Sequence, residues 1–122
     1  MINIKNIIVG DIYLIDLNVD IAGHEQKGVR PAIVVAKHDE TKMCVVIPLT
    51  TQENVKRFPY TELIKKSNRN GLKQDSYALI FQIRAIDCNR IKDHLGTVDD
   101  IDFMKILTQL SKYLHISSLN LK

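Results

Sequence analysis

Between Gly23 and Pro31 the chain gathers groups that move protons and groups that hold anions. The stretch reads Gly-His-Glu-Gln-Lys-Gly-Val-Arg-Pro and carries His24, Glu25, Gln26, Lys27 and Arg30. A guanidinium is planar, permanently charged and forked to match a phosphate, so Arg30 suits the binding of an oxyanion. Pro31 biases the residue before it to extended backbone, and this holds Arg30 where a loop enters a strand. Glu25 can accept a proton, and His24 is its rival because an imidazole titrates near neutrality. Other cations cluster at Lys56 and Arg57, and at Lys65, Lys66, Arg69 and Lys73, whereas Asp99, Asp100 and Asp102 collect later. With a formal net charge of +3, this balance suits a polyanionic partner without requiring one.

The elements that must position these residues belong to a chain of 122 residues, 45% hydrophobic and 25% charged, which fits a single domain spanning 1–122. No run of 18 or more apolar residues exists to span a bilayer, and the N-terminus lacks the pattern of a signal peptide. A cytoplasmic protein that does not engage a membrane is expected. Cys44 and Cys88 stand far apart, and the four histidines are scattered. No disulfide framework or zinc site is therefore expected.

Asp11–Leu17 is a short apolar run after Gly10 and predicts a buried strand. Residues 18–30 lack periodicity and predict a long loop of the kind that often carries function. Pro31–Ala36 and Met43–Thr50 predict two strands joined by the polar turn His38–Lys42. A basic loop, Gln52–Arg57, precedes Phe58–Ile64, which Pro59 marks as an edge strand. Lys65–Asp75 reads as a second loop with the turn pair Asn70-Gly71. Tyr77–Ile86 is the longest strand candidate, and a brief strand at Leu95–Val98 follows. Asp99 is placed to cap a helix whose apolar stripe runs through Phe103, Ile106, Leu107, Leu110, Tyr113 and Leu114. Short strands with one terminal helix predict a mainly β (α+β) fold, a small curved antiparallel barrel with the helix against the sheet.

Four stretches follow one another in a telling order: Gly10-Asp-Ile-Tyr-Leu-Ile-Asp16, Gly23–Pro31, Ile47-Pro-Leu-Thr-Thr-Gln52 and Gln82-Ile-Arg-Ala-Ile-Asp87. In this order and spacing the chain closely resembles the MazF/PemK family of toxin endoribonucleases, of the MazF/CcdB superfamily. The resemblance runs from about residue 9 through the C-terminal helix, and Gly-x-Glu-Gln-x-Gly-x-Arg-Pro is its specific signal. It implies an SH3-like β-barrel that forms a homodimer and cuts single-stranded RNA without a metal or other cofactor. The implied products carry a 2′,3′-cyclic phosphate and a 5′-hydroxyl, and the implied partner is an antitoxin protein that lays an extended segment across the RNA groove.

Cleaving RNA through its own 2′-OH needs a base for that hydroxyl, donors for the phosphoryl oxygens and a proton for the departing 5′-oxygen. Arg30 suits the second task and is a candidate for the third. Thr50 matches the family's catalytic threonine and supplies a second donor. Glu25 matches the family's acidic position, and His24 matches the residue of the PemK/Kid-like branch. That branch also places an Arg and an Asp just before the Gln-x-Arg block, where this chain has Leu79 and Phe81; the departure shifts the acid–base work onto Glu25, His24 and Arg30. Gln26, Lys27, Thr51, Gln52, Lys56, Arg57, Gln82 and Arg84 are the expected RNA contacts. Gln82 and Arg84, two apart on one strand, would share a face, and Phe58 or Tyr60 is suited to stack on an unpaired base. The alternative function is a non-cleaving module on the same barrel, such as a CcdB-like inhibitor of DNA gyrase, which has no need of Arg30 and Thr50.

Overall fold

The computed structural model of the chain describes residues 2–18 and 28–116. In chain order the strands are β1 (Asp11–Asp16), β2 (Val29–His38), β3 (Met43–Thr50), β4 (Thr61–Ile64), β5 (Ser76–Leu79), β6 (Arg84–Asp87) and β7 (Ile91–Thr97), followed by the helix α1 (Asp100–Tyr113). They form one antiparallel sheet in the order β4-β5-β3-β2-β1-β7, with β6 also paired to β3. Among the described residues β4, β6 and β7 each pair with one strand only, so the sheet is not closed, while the expected mainly β fold with one C-terminal helix is found.

The apolar runs of β1, β2 and β3 reflect burial on both faces. Successive side chains point to opposite faces of a strand, and here each face meets its own core. Tyr13, Ile15, Ala32, Val34, Cys44 and Val46 enter one cluster. Ile12, Ile33, Ile47 and Leu49 enter the other, together with Ile64 and Ile80. Helix α1 covers the second cluster. Ile106 is fully buried there, while Phe103, Leu110 and Tyr113 pack against it in part. Leu114, expected in the stripe, is exposed instead, because it lies beyond the last helical residue as the C-cap. Asp99 caps the helix as expected, its Oδ1 accepting from the Asp102 amide at 2.8 Å.

The largest departure from expectation is the run Tyr77–Ile86, which is not one strand. β5 pairs with Leu49 and Thr50, the chain then makes a 3₁₀ turn at Ile80–Gln82, and β6 pairs with Met43–Val46. Ile47 and Pro48 fall in the gap between these two ladders. Proline has no N–H to contribute to a ladder, and the neighbouring strand leaves β3 at that point. Smaller corrections concern Gln52–Arg57, which contains a 3₁₀ turn at Glu53–Arg57, and the edge strand, which begins only at Thr61. The last strand is longer than expected, starting at Ile91.

At the β1–β7 edge, the buried Asp11 carboxylate is held by His94 Nε2 at 2.8 Å and accepts from Thr97 Oγ1 at 2.8 Å. This satisfies a carboxylate that would otherwise be costly to bury.

Candidate functional site

Arg30 lies one residue into β2, directly opposite Ile15 of β1. The extended geometry that Pro31 favours is therefore realised within a strand rather than in the predicted loop. The β2–β3 register pairs Ala32 with Pro48. The pairing ends there, two residues past Arg30 on β2 and two short of Thr50 on β3, so both lie at the same end of this strand pair. Two residues far apart in sequence thus come to the same end of the β2–β3 pair.

Thr50 ends β3 and is 3% exposed. Its Oγ1 accepts the Gln52 amide at 3.3 Å, a local turn that fixes the hydroxyl. Thr51 and Gln52 are exposed beyond it, and so are Lys56 and Arg57 on the 3₁₀ turn. Arg57 rests its guanidinium over the Phe58 ring, 4.8 Å from the centroid.

The base of the loop that carries the remaining candidates is pinned shut. Leu17 donates to the Gly28 carbonyl at 2.9 Å. Gly28 donates to Asn18 Oδ1 at 2.7 Å, and the Asn18 amide donates to Asp16 Oδ1 at 2.9 Å. Gly28 adopts φ +85°, a left-handed conformation that glycine accepts readily. Arg84 reinforces the closure by donating from Nη2 to the Leu17 carbonyl at 3.1 Å, and Arg90 faces Asp16 at 3.9 Å. His24, Glu25, Gln26 and Lys27 lie outside the described residues.

The shared face expected of Gln82 and Arg84 is not found. Gln82 ends the Ile80–Gln82 turn and Arg84 opens β6, so the alternation of a continuous strand does not apply. Leu79 is buried and Phe81 is half-buried; neither offers an acid or a base. Reasoning from sequence did not identify Leu17, Asn18 or Arg90 as supports of the loop. The one available signal was Asn18 beside Asp16, a pair suited to capping a turn.

The chain is thus a mainly β domain, one antiparallel sheet with a C-terminal helix, that carries Arg30 near the start of β2 and Thr50 at the end of β3. Residues 8–114 match the family described as PemK-like, MazF-like toxin of type II toxin-antitoxin system, and the chain belongs to that family. It is 35% identical over 94 residues to Endoribonuclease MazF of Staphylococcus saprophyticus, covering 75% of this chain and 77% of that one. It is 32% identical over 111 residues to Endoribonuclease EndoA of Bacillus subtilis, covering 88% and 90% respectively. Among solved structures, MazF from Deinococcus radiodurans superposes with a TM-score of 0.74 at 21% identity, covering 88% of this chain and 94% of that one. An endoribonuclease from a mycobacterial species, in complex with its cognate antitoxin, gives 0.69 at 23% identity, with 88% and 94% covered.

Proposed function

We propose that this chain is the toxin of a type II toxin–antitoxin system and a sequence-specific endoribonuclease that cuts single-stranded RNA without a metal ion. The observation that supports the reading is the β2–β3 pairing, which brings Arg30 and Thr50 to one end of the two strands, with His24 and Glu25 a few residues before Arg30 in sequence. In this mechanism Glu25 or His24 takes the 2′-OH proton as O2′ bonds to phosphorus. Arg30 and the Thr50 hydroxyl donate to the phosphoryl oxygens as charge builds there. The P–O5′ bond then breaks, with Arg30 donating a hydrogen bond to the departing 5′-oxygen while water supplies its proton. A 2′,3′-cyclic phosphate and a 5′-hydroxyl result. Lys56 and Arg57 meet the RNA backbone, where each neutralised phosphate adds salt-sensitive affinity. The two described ends of the loop, tied by Arg84 and Asn18, keep Arg30 in place.

Two further features belong to this reading, a homodimer and a cognate antitoxin as inhibitor. The antitoxin is supported by the mycobacterial relative, which was solved in complex with its own. An inhibitor of DNA gyrase on the same fold would leave Arg30 and Thr50 without a task.

The test is to incubate purified protein with a long single-stranded RNA in EDTA and map the cuts, beside a gyrase supercoiling assay. Wild type is expected to cut at a short preferred sequence and to leave supercoiling untouched. Arg30→Ala is expected to slow cleavage by at least roughly 10²–10³-fold, the loss typical when one oxyanion donor is removed. Full activity in the Arg30 variant overturns the mechanism.

A further inference from the structure

Next to the Arg30–Thr50 end of the sheet lies a groove that the cleavage chemistry does not use. It has a volume of about 690 Å³, within the range of pockets that hold small ligands. Four aromatic rings line it, those of Phe58, Tyr60, Phe81 and Tyr113, over an apolar floor that includes Val55 and Leu79. Arg57 and Gln82 stand at its polar margin, and none of the lining residues is acidic.

The rings are already held in place. Phe58 and Phe81 meet edge to face with centroids 6.1 Å apart, and Tyr60 and Tyr113 are tilted at 5.1 Å. The Tyr113 hydroxyl donates to the Phe81 carbonyl at 3.3 Å, and the Ile80 amide donates to the Tyr60 carbonyl at 3.0 Å. Tyr60 takes φ +62°, uncommon for a residue with a side chain and often found at functional positions. Phe58 is nonetheless 40% exposed, a large apolar surface left to solvent.

We propose that this groove is a nucleobase subsite, which takes one unpaired base of the RNA strand beside the cut and contributes sequence preference. The inference rests on the reading of the chain as a single-strand endoribonuclease. Three observations select a base as occupant. Every base has a π-face that stacks on aromatic rings, and the groove offers preset rings of which Phe58 is 40% exposed. The margin carries a cation: Arg57 is exposed and lines the groove, and its contact with the Phe58 ring, of the weak kind found at a surface site, can be exchanged for a phosphate. The groove also lies close to Thr50, because Leu79 in its floor is two residues along β5 from Tyr77, the cross-strand partner of Thr50.

The experiment compares wild type with Phe58→Leu, which keeps apolar volume but removes the π-face, and with Arg57→Gln. Cut positions are mapped on a long single-stranded RNA. Steady-state constants are then measured on a short oligoribonucleotide containing the preferred cut, intact or with an abasic residue at each flanking position in turn. Phe58→Leu is expected to relax base preference at one flanking position and to raise KM roughly tenfold, in line with about 1–3 kcal/mol per stacked base. The abasic residue at that same position raises KM for wild type by a similar factor and adds little in Phe58→Leu. Arg57→Gln raises KM on every sequence alike and flattens its salt dependence. A Phe58→Leu profile and KM equal to those of wild type, the result if the groove serves a protein partner, overturns the subsite while leaving the nuclease reading intact. Wild type that leaves RNA uncut overturns both.

Discussion

Two demands meet on one oxygen at Thr50. Its Oγ1 accepts from the Gln52 amide, and a hydroxyl that accepts one bond still has its own hydrogen to donate. The same contact that shapes the end of β3 therefore aims the donor that the proposed chemistry needs. Thr50→Val keeps the branched shape and removes both roles. It is expected to cost about 1 kcal/mol of stability through the lost amide partner and to slow cleavage by roughly 10²–10³-fold. Thr50→Ser, which restores the hydroxyl, is expected to recover most of each. Single-turnover cleavage with saturating protein, beside denaturant midpoints for the three proteins, separates the two effects. A valine variant that cleaves at the wild-type rate removes Thr50 from the chemistry. Arg84 acts at this scale too, but through its bond to the Leu17 carbonyl it is first a support for the loop.

The segment Lys65–Asp75 is joined to β7 by two glycines rather than by a strand ladder. Gly71 takes φ +70°, and a Cβ there would overlap the Leu95 carbonyl; a Cβ at Gly96 would overlap the backbone of Arg69 and Asn70. The close approach allows the Thr97 amide to donate to the Arg69 carbonyl at 2.8 Å. Asn70 is buried and fixes the turn, with Oδ1 accepting from Ser67 and Leu72 and Nδ2 donating to Lys65. Gly96→Ala is expected to push the segment off β7, destabilise the fold by about 1–3 kcal/mol as overpacking does, and expose the Thr97 amide to hydrogen exchange. Asp99→Ala is expected to cost about 1 kcal/mol by losing the cap, with the Thr97 amide still protected. Equal Thr97 exchange in both variants contradicts this account. These elements also mark how far the sequence could be read. The β2–β3 hairpin, the Asp99 cap and the helix rest on neighbours a few residues apart, and local pattern reveals them. The break at Ile80–Gln82 lies in an apolar run that looks continuous, and depends on where Pro48 falls across the sheet. Gly96 sits inside a strand, where nothing local signals the segment packed on it. At the site, motif spacing pointed to Arg30 and Thr50, but their arrival at one end of the β2–β3 pair depends on register, and Leu17, whose carbonyl Arg84 meets, lies just past β1 and remote in sequence.

The two buried faces give the whole molecule a defined weakness in alkali. Cys44 is 1% exposed, and burial, with the Cys88 thiol adding to it, pushes its pKa from 9.0 up to about 11. Tyr13 is raised above the ordinary phenol value of 10.0 for the same leading reason, burial, although its hydroxyl accepts from the Ile8 amide at 3.0 Å. Both groups hold their proton longer in the folded chain than in the unfolded one. Below about pH 9 both states are protonated and this contribution is complete. As pH rises from 9 towards 11 the unfolded chain loses the Cys44 proton first and binds fewer protons than the native state, so stability falls. For Cys44 the loss is on the order of 2–3 kcal/mol, since each tenfold change in proton affinity is worth about 1.4 kcal/mol. Tyr13 adds to it at the upper end. Cys44→Ala removes the titrating thiol and leaves a small cavity. It is therefore expected to be less stable than wild type at about pH 8 yet to lose less stability on going to about pH 10.5, so that the gap between the two proteins narrows. Guanidinium unfolding curves at half-unit pH steps measure the effect directly, and curves that stay parallel across this window show that the thiol contributes nothing to the alkaline limit. The same burial keeps the thiolate scarce at neutral pH, so native protein should resist iodoacetamide under conditions where unfolded protein labels at both cysteines.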